Sequence, residues 1–209
     1  MKKQLRNILI VLFTYSLLAV SMSVHADSDN EELYLKNYES ILSVMKKEME
    51  AAPKTGDPTL DFLYEMIPHH EAAVSMAENL LSYGEGIEDK KLAMTIMRDQ
   101  IEGIQKMKTL LDQLKNNPQV DKAKETSYLK VYNEACKQMM NKMSKVEPTG
   151  SVDKDFLEEM IPHHEGAVKM ATNILNYTNN EELREIATHM ISGQQRQLEE
   201  MKRLLKTVK

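Results

Sequence analysis

Four of the six histidines in the chain stand as two adjacent pairs, His69-His70 and His163-His164, each inside the string Met-Ile-Pro-His-His-Glu. Met66 and Met160 precede the pairs by one helical turn, and Met76 and Met170 follow them. Thioether sulfur beside imidazole nitrogen is a soft-to-borderline donor set, suited to Cu(I) and Ag(I). Imidazole alone also accepts Zn(II) or Cu(II), which thioether matches less well, and hard Mg(II) and Ca(II) are disfavoured. The plain counter-reading is that methionine fills core gaps and a buried histidine is hydrogen-bonded packing. Repetition of the whole donor set in register weighs against it. The candidate metal ligands are therefore Met66, His69, His70 and Met76, with Met160, His163, His164 and Met170.

These residues belong to a longer repeat. Asp61 to Ala77 returns as Asp155 to Ala171, 94 residues later, and the register holds without a gap from Tyr34 to Lys108. Tyr34/Tyr128, Tyr38/Tyr132, Met45/Met139, Met49/Met143, Gly56/Gly150, Gln100/Gln194 and Met107/Met201 all match. A tandem duplication joined near Asn116-Asn117-Pro118 predicts two halves, 27–118 and 119–209. Two copies are too few for a solenoid, so bundle-like halves are expected. Apolar residues at helical spacing predict three helical segments per half, near 30–51, 59–83 and 87–115 in the first. In the second half the corresponding segments include 121–146 and 181–207. No useful period-2 alternation occurs, so the fold class is all-α.

On a helical wheel His70 points into the centre of the buried stripe, with Leu63, Met66, Ala73, Val74, Ala77 and Leu81 within about 60° of it. His69 lies about 100° to one side, and Glu65 falls towards solvent. Pro68 and Pro162 predict a kink, or a helix that stops and restarts there. Gln100 and Gln194 fall on the apolar face of the third segment, where an amide must be hydrogen-bonded. Each either orients a histidine ring or bonds to another helix. Cys136, Met139, Met140 and Met143 cluster on the first segment of the second half, where core packing is the better reading for Cys136. His189 and Met190 have no counterpart in the first half and are at most accessory.

The N-terminus bounds the setting. Lys2, Lys3 and Arg6 precede an apolar run from Ile8 to Val20, and Val24-His25-Ala26 offers a small-residue cleavage site. Residues 1–26 read as a cleaved signal peptide, with the bacterial periplasm as destination and no membrane attachment after cleavage. A net charge of −5 gives no electrostatic reason to bind nucleic acid. The single cysteine allows no intramolecular disulfide. There is no Glu-x-x-His pair of the di-iron type, no nucleophile constellation, no phosphate loop and no His-Glu-x-x-His motif, so no enzyme is expected.

Phe-x-x-x-Met-Ile-Pro-His-His-x-x-Ala-x-x-Met-Ala, followed by a helix with a central Gln and a later Met, resembles a bacterial family. It is a family of exported ferritin-like helical domains, long without an assigned function, and the resemblance covers 34–115 and 128–209. Its CopM-like periplasmic members imply a four-helix-bundle fold and binding of Cu(I) or Ag(I) through Met and His. Carried onto this chain, the resemblance implies the same eight ligands. It implies a protein that sequesters or delivers copper ions for resistance or homeostasis, with a copper-transport protein as the partner for delivery. The competing expectations are a metal-dependent redox enzyme on a ferritin-like scaffold and a structural helical module that binds a partner without metal.

Overall fold

Short polar signals start the second helix of each half. Asp57 accepts a hydrogen bond from the Thr59 amide at 2.9 Å, with Pro58 at the first helical position, where a missing N–H costs nothing. Its counterpart Ser151 caps the equivalent helix through the Lys154 amide. One residue earlier stand Gly56 and Gly150, with φ of 89° and 83°, the left-handed region that favours glycine. Buried Asp61 and Asp155 then clamp these loops by accepting from the amide and hydroxyl of Thr55 and Thr149, at 2.6–2.9 Å.

The computed structural model describes residues 29–208, so the expected signal peptide lies outside the described residues. The helices are α1 (29–51), α2 (Pro58–Tyr83), α3 (Ile87–Leu114), α4 (Lys122–Met143), α5 (Val152–Ile174) and α6 (Glu181–Leu204). Among the described residues all regular structure is helical, as expected, and none of these helices is long and apolar enough to cross a membrane. α2 and α5 run through Pro68 and Pro162 as single helices, so the restart at proline does not occur. Burial on nearly every side holds each helix around the one backbone hydrogen bond that proline removes.

α2 packs on α3 and α5 on α6, while α2 also packs against α5 and α3 against α6. The four close one bundle, two helices from each half, and a single apolar cluster runs through both halves. α2 and α5 are antiparallel. Thr59, at the start of α2, meets Thr178 beyond the end of α5 at 2.9 Å. Asp153, at the start of α5, accepts from the Glu85 and Gly86 amides beyond the end of α2 at 3.0 Å.

α1 and α4 flank this bundle and tie the halves crosswise. Asn79 and Asn173 dock them on α2 and α5 through the Tyr34 and Tyr128 carbonyls, at 2.9 and 3.0 Å. The phenol of Tyr34 in the first half then donates to Glu159 in the second, and that of Tyr128 in the second to Glu65 in the first, the latter at 3.2 Å. Glu31 and Glu125 repeat the exchange by accepting from the Gly150 and Gly56 amides, each at 2.7 Å. Glu65 is consequently buried, 1% exposed, and does not face solvent as its own helix's wheel implies. The wheel of α2 carries no information about the helix of the other half that covers this face.

Burial raises the Glu65 carboxyl to about 7, with Lys54 and the Tyr128 phenol pulling the other way. Burial raises Glu159 to about 9, against the pull of the Tyr34 phenol alone among its partners. A carboxyl whose pKa is raised on folding contributes stability in full below its unfolded value, near 4.5, and loses it as pH rises through the folded value. The wild-type protein should therefore lose stability progressively between about pH 4.5 and 9, with Glu65 contributing up to about pH 7, and Glu159→Gln should flatten that decline in urea unfolding. Tyr34→Phe, which leaves a buried carboxyl without its donor, should cost about 1–3 kcal/mol near neutral pH in the same assay.

Candidate metal centre

Where α2 crosses α5, the rings of His69 and His163 stack with centroids 3.8 Å apart and planes tilted by 33°. Both rings are fully buried. His163 Nε2 lies 3.1 Å from the His69 carbonyl oxygen, and His69 Nε2 lies 3.2 Å from the Met139 sulfur. A carbonyl only accepts, so His163 carries its proton on Nε2 and leaves a lone pair on Nδ1, which has no partner among the described residues. That arrangement, one ring nitrogen donating to a carbonyl and the other free, is the one metal-bound histidines commonly take. The position reverses the wheel. His69, expected at the flank, occupies the inter-half centre, whereas His70 faces α3. With α2 buried almost all round, its apolar stripe does not say which buried face is central.

The thioether at His69 depends on a difference between the halves. Met139 lies over Gly166, where a Cβ would stand 2.5 Å from the Met139 sulfur, 2.7 Å from Cγ and 2.9 Å from Cβ. The matching residue in the first half is Ala72, which lines a surface groove together with Met45. Glycine thus lets α4 settle deeply enough for Met139 to reach the stacked rings. On one side of the crossing an imidazole meets sulfur, and on the other it meets a carbonyl.

His70 and His164 turn towards α3 and α6, with ring centroids 6.0 and 5.9 Å from His69 and His163. His164 Nε2 lies 2.8 Å from Gln197 Oε1, and the Gln197 amide nitrogen donates to Asp99 at 3.0 Å. Assigned from this network, His164 donates through Nε2 and keeps a buried lone pair on Nδ1. Gln197 therefore takes the orienting role for which Gln100 and Gln194 are the sequence candidates. Both of those amides are buried, and Gln100 Oε1 and both polar atoms of Gln194 lack partners among the described residues.

All four imidazoles stay neutral near pH 7. Burial first, then the neighbouring imidazoles, hold His69 and His163 well below the usual range, and the hydrogen bond to the His69 carbonyl pulls His163 the other way. Burial lowers His70 to about 3, helped by His164, and lowers His164 to about 4 against the pull of Gln197. Neutral imidazole is the form that ligates a metal, so no proton has to leave first. Among the described residues no three His, Cys, Asp or Glu side chains converge as a metal site. The other soft donors beside the rings are thioethers, a donor type that favours soft cations.

Met66, Met76, Met160 and Met170 are all buried. Burial does not single them out, because Met45, Met49, Met107, Met139, Met143 and Met201 are buried as well. Met66 and Met160 sit one turn from both rings of their pair, and Met76 and Met170 two turns from His69 and His163 on the same face. Cys136 packs partly buried against the core, with its thiol pushed up to about 11, chiefly by burial. Met139 was visible in the sequence only as one of a methionine cluster. Gly166 and Gln197 were visible only as positions where the halves differ, against Ala72 and Gly103.

Residues 59–205 match the family described as a domain of unknown function (DUF305). The chain belongs to DUF305. It is similar to the solved structure of CopM in an Ag-bound form, at 30% identity and a TM-score of 0.55, over 71% of this chain and 95% of that one. CopM in a Cu(I)-bound form matches at 29% identity and a TM-score of 0.54, over 71% and 96%. A DUF305 fragment from Deinococcus radiodurans shares the fold at 23% identity and a TM-score of 0.54, over 72% and 97%. An uncharacterized protein, L153, of Acanthamoeba polyphaga mimivirus is 40% identical over 53 residues, 25% of this chain and 35% of that protein.

Within this DUF305 chain the Gly166–Met139 contact yields a sign test. Helix propensity alone would make Gly166→Ala stabilising by about 0.5–1 kcal/mol. The clash reaches Met139 Cβ as well as its sulfur, so α4 must retreat, and overpacking of this kind costs about 1–3 kcal/mol. Gly166→Ala should therefore destabilise the protein in urea unfolding, and the Met139 methyl resonance should lose its ring-current shift from His69.

Proposed function

We propose that this DUF305 protein binds Cu(I), and Ag(I) as its analogue, without turnover, to sequester or deliver the ion in the periplasm. One observation carries the reading: two stacked, buried, neutral imidazoles with a thioether 3.2 Å from Nε2 of one of them, His69. That donor chemistry fits soft monovalent cations better than Zn(II) or Cu(II). The similarity to CopM, whose structures carry Ag, Cu(I) and Cu(II), supports the same direction. The ligands are drawn from Met66, His69, His70 and Met76 with their counterparts Met160, His163, His164 and Met170, and Met139 joins them. The apolar run at the N-terminus supports export, and delivery would take a copper-transport protein as partner.

Anaerobic titration with Cu(I) against a competing chelator tests this. Replacing His69 and His163 by Ala should lower Cu(I) affinity at least about tenfold, because even outer-shell changes at metal sites cost about that much. Circular dichroism should confirm that the helices persist. If all four paired histidines become Ala and the bound Cu(I) is unchanged, the assignment fails. Sustained dioxygen consumption with Cu(I) or Fe(II) would make the protein an enzyme and overturn the non-catalytic reading.

A further inference from the structure

The two outer histidines occupy the same position in their halves but not the same surroundings. His164 is fully buried, with its Nε2 covered by Gln197. His70, 3% exposed, lines an open cavity of about 990 Å³ between α3 and α6. The residue matching Gln197 is Gly103, and a Cβ added there would lie 3.1 Å from His70 Cδ2 and 3.3 Å from Nε2. Any longer side chain at 103 would thus stand over the ring edge that carries Nε2. Among the described residues no hydrogen bond is made to that nitrogen.

The same cavity is lined by the unpartnered amides of Gln100 and Gln194, each more than nine-tenths buried. Met190, buried, and His189, exposed, also line it. Both are absent from the first half, where Thr95 and Ile96 take their places. Imidazole, thioether and a second imidazole therefore border one solvent-connected space. Of its buried amides, Gln197 is engaged by His164 and Asp99, whereas Gln100 Oε1 and both Gln194 atoms have no partner among the described residues.

We propose that the α3–α6 cavity is the port through which the soft monovalent cation enters and leaves, with His70 as the inner donor and Met190 and His189 as donors at the mouth. This rests on the proposed Cu(I) binding and adds direction to it. The ion reaches the His69–His163 crossing past His70, and the Gln197-covered His164 arm takes no part in exchange. Glycine at 103 keeps the port open, and the Gln100 and Gln194 amides supply carbonyl oxygens and N–H donors to water that accompanies the ion.

The test is stopped-flow transfer of Cu(I) from the loaded full-length protein to excess bathocuproine disulfonate, beside equilibrium binding. Gly103→Gln, which installs over His70 the cover that His164 already has, should slow release at least about tenfold while the bound Cu(I) at saturation separates a blocked path from a lost site. Release at the wild-type rate from folded Gly103→Gln protein overturns the port. If that variant does not fold, Met190→Leu combined with His189→Gln removes the mouth donors at little change in volume. Slower transfer then supports the port, and unchanged transfer overturns it. Absence of Cu(I) binding by the wild-type protein overturns the proposed function itself, and the port with it, whereas normal binding with unaltered exchange in the variants overturns the port alone.

Discussion

The stack of His69 on His163 sets the terms for the rest of the molecule. Two imidazoles 3.8 Å apart cannot both be charged. Like charges at about 4 Å repel by roughly 4 kcal/mol even at an effective dielectric of 20. The crossing of α2 and α5 therefore admits at most one charged ring, and burial on every side favours the neutral form of both. The same neutrality leaves lone pairs where a soft cation could use them. Packing and ligation thus ask for the same protonation state, and neither needs a compensating charge nearby.

The same side chains stand twice in the sequence, 94 residues apart, and small departures from identity give them different surroundings. Gly166 in place of Ala72 brings the Met139 sulfur to one ring. Gln197 in place of Gly103 covers one outer histidine and leaves the other beside open space. Both departures add or remove little more than one side chain. Each changes what a neighbouring imidazole nitrogen touches, because the interior is packed too closely to absorb a change in volume.

The helices, the repeat and the paired histidines were legible in the sequence because they rest on local rules: apolar spacing, capping residues and identity at a fixed offset. Other features depend on contacts between residues far apart in the chain. Glu65 looked solvent-facing because Tyr128, which covers it, comes from the other half. His69 and His70 exchanged roles because both faces of α2 are buried, so its own stripe could not rank them. The continuity of α2 through Pro68 likewise depends on surrounding packing outweighing one lost backbone bond. Gln197, the amide found on His164, lies one turn beyond Gln194, the amide chosen from the pattern. A shift of that size is below what a wheel resolves once two helices lean on each other.

The crosswise bonds of Tyr34 to Glu159 and Tyr128 to Glu65 have a consequence for assembly. Neither half carries the phenol that covers its own acid, so each finishes folding on a group that the other brings. Held on separate molecules, such complementary halves would meet only as often as their dilution allowed. Joined through Asn116-Asn117-Pro118, they meet at an effective concentration in the millimolar range for a short linker. The tether makes a second-order encounter first-order, and the completeness of the fold becomes independent of how scarce the protein is.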